Sequence, residues 1–337
     1  MSESPGKQRY LSVYIQGVDV DLFTVNLDSK TKDVIVTTAV GNDYFENWKK
    51  YSLPSWEKYA LKKGIGIIVI LSRLARGAEG EIKNASWDKL LAPKRIIQAF
   101  SDIERMCLLD TDILISAVAP NVFDYSEPGS YSVVSQEKNL PFPIKDVRSR
   151  IALLRREFYD SSYPLDSILQ ATAEDVFRLQ GLPLHNDYFC AGLIMLDHTL
   201  FDDLENCYSS VSLDEVKSSV AWEEPYVNHW IQSQSHSWMP YEFQAIWLFE
   251  MAWNHPYLYT RGDSLSDKQE VAEVVSSVLL NRHFLHFAGS WHESGAWHNN
   301  VSQTSLAAES FAEEISRAGS MTLTARSLGK VLPSNMN

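Results

Sequence analysis

Three short apolar runs, "KDVIVTTAVG" (32–41), "IGIIVIL" (65–71) and "RMCLLDTD" (105–112), are separated by two stretches with helical spacing. In the first stretch Tyr44, Phe45, Trp48, Tyr51, Trp56 and Tyr59 keep that spacing, and Pro54 predicts a kink or the start of a second half. In the second, Ser86 stands where a cap belongs, ahead of Leu90, Leu91, Ile96, Ile97 and Phe100. Strand, helix, strand, helix, strand in this order predicts a parallel sheet with crossover helices. Such a sheet binds ligands beyond the carboxyl ends of its strands. Residues 10–26 alternate as an opening hairpin, and "VRSRIALLRREF" reads as a helix. "DYFCAGLIMLD" (187–197) reads as a strand, 213–253 as mostly helical, and "RHFLHFAG" (282–289) as a short apolar piece.

Asp110 and Asp112 stand at the carboxyl end of the third run, with Thr111 between them. On extended backbone the side chains at i and i+2 share one side, so both acids face one point and Thr111 faces away. Two carboxylates this close repel unless a cation lies between them. A hard divalent ion, Mn2+ or Mg2+, suits such a pair and also binds diphosphate oxygens. The bland alternative is a pair of solvated acids closing a strand.

Charge is unevenly spread. Residues 1–100 carry 15 of the 30 Lys+Arg and 11 of the 43 Asp+Glu, a net of +4, which leaves -17 on the remainder. An overall charge of -13 argues against a broad nucleic-acid-binding face. Cys107, Cys190 and Cys207 form no C-x-x-C pair, and buried thiols are expected. The longest apolar runs are too short to span a bilayer, so a cytoplasmic protein is expected, with peripheral membrane contact still open.

Four segments in order, "CLLDTDILIS" with "APNVFD", "NDYFCAGLIMLD", "WEEPYVNHWI" and "HFAGSWHESGAW", resemble glycosyltransferase family 8. That family includes glycogenin and the lipopolysaccharide galactosyltransferases and glucosyltransferases. The resemblance implies an α/β GT-A fold, a Rossmann-like mixed sheet flanked by helices. It divides the chain into an N-terminal extension (1–32, a hairpin), a GT-A domain (33–298) and a C-terminal helix and tail (299–337). Within the domain, 33–125 would bind nucleotide and 126–298 the acceptor. It also implies transfer of a hexose from a nucleotide sugar, UDP-linked, to a hydroxyl of a glycan, lipid-linked or protein acceptor, with retention and with Mn2+ (or Mg2+). By position, the resemblance gives Asp110, Asp112 and His286 as metal ligands. Donor contacts fall on Thr38, Ala39, Val40, Gly41, Lys89, Asp110, Thr111, Asp112, Gly289 and His292, with Lys94 and Arg95 as alternatives to Lys89. The catalytic surroundings fall on Glu223, Glu224 and Asp187.

Several residues depart from the family pattern. Cys190 stands where the family has Asn, with Asp187 and Asn186 near enough to stand in for it. Glu224 replaces a Gln, and Pro225 replaces an acid. His292 is the sole group offered where a diphosphate-binding Lys is usual. Trp291 and Trp297 are candidates for the site rim. Two other functions stay open: a metal-dependent phosphatase or pyrophosphatase that uses the same acids, and a catalytically lapsed carbohydrate-binding protein that keeps the aromatic pocket.

Overall fold

The computed structural model describes residues 8–77, 82–158, 171–219, 221–260 and 268–288. Gly289, Trp291, His292, Trp297 and the tail from 299 lie outside the described residues, so those expectations stay as sequence readings.

The architecture is a mixed α/β sheet flanked by helices. Its strands are β1 (Gln8–Ile15), β2 (Val18–Val25), β3 (Asp33–Thr38), β4 (Gly66–Ile70), β5 (Arg105–Leu109), β6 (Ile113–Ile115), β7 (Tyr131–Val134), β8 (Leu193–Asp197), β9 (His236–Met239), β10 (Ala245–Ile246) and β11 (Phe284–His286). The eight-stranded sheet runs β1-β2-β4-β3-β5-β8-β7-β9, and a three-stranded sheet runs β10-β11-β6. The α-helices are α1 (Asn42–Asn47), α2 (Leu53–Lys63), α3 (Ala92–Ala99), α4 (Ile144–Phe158), α5 (Ala173–Gln180), α6 (Asp203–Ser210), α7 (Leu213–Lys217), α8 (Glu224–Gln232), α9 (Trp247–Asn254), α10 (Tyr257–Thr260) and α11 (Lys268–Asn281). None of the described helices is long and apolar enough to cross a membrane.

The three runs read from sequence form the parallel centre, β4-β3-β5. They are apolar throughout because both faces are covered. Val34, Val36, Ile68, Ile70, Met106 and Leu108 pack on one side with Trp87 and Ile96. Ile35, Ile67, Val69, Cys107 and Leu109 pack on the other with Trp48, Trp56 and Tyr59. The opening hairpin is continuous with this sheet, since β2 pairs antiparallel with β4. All three cysteines are buried and form no disulfide.

Some local expectations hold and others fail, for identifiable reasons. The aromatic stretch divides ahead of Pro54, as expected: α1 and α2 are joined by a π turn, Trp48–Ser52. Pro54 lies in the first turn of α2, has no N–H to donate and crowds the preceding turn, so the regular ladder cannot run through it. Ser86 caps nothing: it lies in a 3-10 turn, Ala85–Leu90, and its hydroxyl donates to Asn84 Oδ1 at 3.2 Å. The strand expected over 187–197 begins only at Leu193, and β8 runs antiparallel to β5. Residues 213–253 hold α7, α8 and α9 but also β9 and β10.

Candidate metal and donor site

The D-x-D acids lie in the turn between β5 and β6 rather than on extended strand, yet their carboxylates converge. Backbone bonds hold the turn from several sides. Asp110 N donates to Gly192 O at 2.9 Å, and Phe287 N donates to Asp112 O at 3.0 Å. The π turn and α2 hold the other side: Ser52 Oγ donates to Thr111 O (2.6 Å), and Trp56 Nε1 donates to Ile113 O (2.7 Å). Ile115 N donates to Ser55 Oγ at 3.2 Å. Thr111 thus serves the site through its carbonyl, which fixes the turn.

His286 arrives from far along the chain because β11 sits between β10 and β6, with His286 opposite Ile113 and Ile246. Its Nε2 is 3.2 Å from Asp112 Oδ1 and 4.0 Å from Asp110 Oδ2. One ligand atom from each of the three residues lies within 4.8 Å of the others. His286 is buried, whereas the acids stay partly open, so the cluster is closed behind and accessible in front. Burial alone would depress the imidazole, but the Asp112 carboxylate outweighs it and raises its pKa. One imidazole nitrogen beside two carboxylates is a donor set that fits Mn2+ or Mg2+.

The ring is seated against a glycine. A Cβ on Gly192 would stand 2.3 Å from His286 Cε1, 2.8 Å from Nδ1 and 2.9 Å from Gln244 Nε2. Behind the ring, Nδ1 lies 3.3 Å from Gln244 Nε2 and 3.6 Å from Cys190 Sγ.

Lys89 joins the acids to the rest of the site. Its Nζ is 2.9 Å from Asp110 Oδ1, 3.0 Å from Glu223 Oε1 and 3.3 Å from Ala191 O. Burial opposes its charge, but the two carboxylates more than offset this and raise its pKa. For Glu223 burial works against ionisation, and the ammonium of Lys89 overrides it and lowers the pKa. Lys94 and Arg95 point elsewhere, both pairing with Glu205.

Glu224 begins α8 and its Oε2 accepts from Ala191 N at 3.1 Å. Two turns of the same helix grip this segment, since the Asn228 amide bonds both the N–H and the C=O of Phe189. Asp187 is buried, which raises its pKa, and Oδ1 accepts from Ser135 Oγ (2.6 Å) and Tyr188 N (2.7 Å). At the end of β3, Ala39 N donates to Ile70 O (2.8 Å), and Gly41 has φ 103°, a left-handed value that disfavours side chains. Thr38, Ala39 and Val40 therefore lead into a glycine turn that opens α1.

Gly192, Gln244 and Ser52 were not legible as site residues. Gly192 had a signal in "CAGL", because a glycine inside a strand-like run marks close approach. Gln244 and Ser52 had none.

The segment 185–192 is also tied to α8 by His185 Nε2 and His229 Nδ1 at 2.8 Å. Burial holds both imidazoles below the usual 6.5, and His229 lowers His185 further. A depressed imidazole lets the unfolded chain take up protons first, so this contribution is present above about 6.5 and lost as pH falls below it. Thermal melts between pH 7 and 5 are expected to show a falling Tm. Replacing both residues (His185→Gln with His229→Gln) should make that decline shallower, and an unchanged slope would rule the pair out.

No family model matches the chain, and no curated protein does. Among solved structures, the chain is similar to a glycosyltransferase involved in the glycosylation of the major capsid of PBCV-1. The TM-score is 0.43 at 10% identity, covering 82% of this chain and 98% of that one. It is also similar to the apo structure of the bifunctional glycosyltransferase WbbM. There the TM-score is 0.43 at 12% identity, covering 88% of this chain and 52% of the other, so the match spans about half of WbbM.

Proposed function

We propose that this chain is a GT-A-fold, metal-dependent glycosyltransferase of the family 8 type. It moves a hexose from a nucleotide sugar, UDP-linked, to the hydroxyl of a glycan, lipid-linked or protein acceptor, with retention and in the cytoplasm. The observation that carries the reading is the Asp110–Asp112–His286 cluster just beyond the carboxyl end of β5, in the parallel centre of the mixed sheet.

Asp110, Asp112 and His286 would hold Mn2+ or Mg2+. Bound there, the ion supplies positive charge that stabilises a departing diphosphate. The turn Thr38–Gly41 offers backbone groups to the nucleoside, with Gly41 letting it approach. Lys89 carries a second positive charge beside Asp110, and that charge would add to the attraction for the same anion. Glu223, held ionised by Lys89, is the carboxylate that would stabilise positive charge developing on the sugar. Glu224 orders the backbone at Ala191 from the helix end, accepting from its N–H, and is the second carboxylate that would serve the sugar. Asp187 is a third carboxylate for orienting the donor sugar.

The test pairs binding with chemistry. Incubation with a panel of nucleotide sugars and Mn2+, followed by mass spectrometry, should reveal donor hydrolysis or transfer. Asp110→Ala and Asp112→Ala should each lower Mn2+-dependent UDP affinity at least ten-fold with the Tm little changed, since both side chains face solvent in part. Calorimetric titration reads this, and equal affinity in all three proteins would remove the metal assignment. Release of phosphate from UDP alone, without need of a sugar, would favour the phosphatase reading instead.

A further inference from the structure

A histidine that ligates a metal through Nε2 must carry its proton on Nδ1, and that N–H needs an acceptor when it is buried. His286 is 2% exposed, so bulk water does not reach it. Two side-chain atoms stand near Nδ1: Gln244 Nε2 at 3.3 Å and Cys190 Sγ at 3.6 Å. The same Gln244 atom lies 3.1 Å from Cys190 O. A carbonyl oxygen calls for a donor, which fixes the amide with its NH2 toward the ring and its oxygen away. Gln244 therefore cannot accept the Nδ1 proton. The thiol can, because sulfur is a weak acceptor and its distance falls within the range for such contacts.

We propose that Cys190 is the positioning residue for His286. Its sulfur accepts Nδ1–H and so leaves Nε2 with a lone pair toward the metal. Gln244 donates to Nδ1 in the opposite tautomer, in which Nε2–H faces Asp112. The two partners thereby support different tautomers of one ring, and metal binding is the event that selects the thiol-bonded one. Gly192 keeps the ring close enough for either contact. This gives the cysteine a role of its own at the position where the family has an amide. The inference rests on the metal-dependent reading above.

Calorimetric Mn2+ titrations of the wild-type chain, Cys190→Ser, Cys190→Ala and Cys190→Val, with a Tm for each metal-free protein, test it. Serine keeps an acceptor and should bind Mn2+ within about three-fold of wild type. Alanine and valine remove it and should bind at least roughly ten-fold more weakly, the range seen when a ligand's hydrogen-bond partner is lost. A packing role would give the reverse order, because valine fills a buried apolar site better than serine. Equal affinity across all four proteins, or a loss in serine matching that in valine, overturns the inference and leaves the metal site standing. Absence of Mn2+ binding in the wild-type chain overturns both.

Discussion

Gly192→Ala should abolish Mn2+ binding and donor turnover together. The added methyl would sit 2.3 Å from His286 Cε1, and the ring cannot retreat because Gln244 and Cys190 back it. Either the ring tilts away from Asp112 or the 190–192 segment shifts, and that segment also receives Asp110 N through Gly192 O. Both responses pull ligands apart. Displacing a metal ligand by about 1 Å costs at least ten- to a hundred-fold in affinity, on the scale seen when its supporting partners are lost. Overpacking adds about 1–3 kcal/mol of destabilisation. A urea melt and a Mn2+ titration of the variant check the two parts, and wild-type Mn2+ affinity would show that the ring moves without leaving the cluster.

The second large effect is expected at Lys89. In Lys89→Met the Glu223 carboxylate stays buried without its counter-charge, and Asp110 loses a partner. Removing one member of a buried ion pair typically costs about 3–5 kcal/mol. The double variant Lys89→Met with Glu223→Gln should recover most of that loss, because the orphaned charge goes with it. The ligand effects should have opposite signs. Mn2+ alone should bind Lys89→Met more tightly, since a neighbouring cation has been removed, whereas UDP in the presence of Mn2+ should bind more weakly. Urea melts and calorimetry read all four quantities. Equal stability of the single and double variants would mean Glu223 is solvated despite its burial.

The parallel centre of the fold was legible because three short, uniformly apolar runs can only be covered on both faces, which leaves few topologies. The acids were legible because two carboxylates one residue apart need a reason. Their ligand partner His286 was read through resemblance; on its own the residue offers only a histidine in an apolar run. The limits have equally local causes. Residues 187–192 read as strand because their composition is apolar, but beyond the single bridge of Phe189 to Ser135 their backbone bonds go to the side chains of Asn228 and Glu224 and to Gln136 and Asp110, just past β7 and β5, rather than into a continuous ladder. The Lys89–Glu223 pair joins residues far apart in sequence, and charge counts cannot reveal such a pairing. Gln244 looked like any polar residue, because what matters is the two groups its amide nitrogen faces.

The π turn at Trp48–Ser52 couples two parts of the molecule that would otherwise be independent. It connects the helix opened by Gly41 to the helix whose Ser55 and Trp56 hold the D-x-D turn. A π turn carries one residue more than an α turn, and each residue of helix rotates everything after it by about 100°. Removing a single residue between Asn47 and Leu53 would therefore swing Ser52, Ser55 and Trp56 off the backbone of residues 111–115. The glycine turn and the acid turn are geared to each other through this stretch. Its length must be kept to the residue, because the register of Ser52, Ser55 and Trp56 against residues 111–115 depends on it.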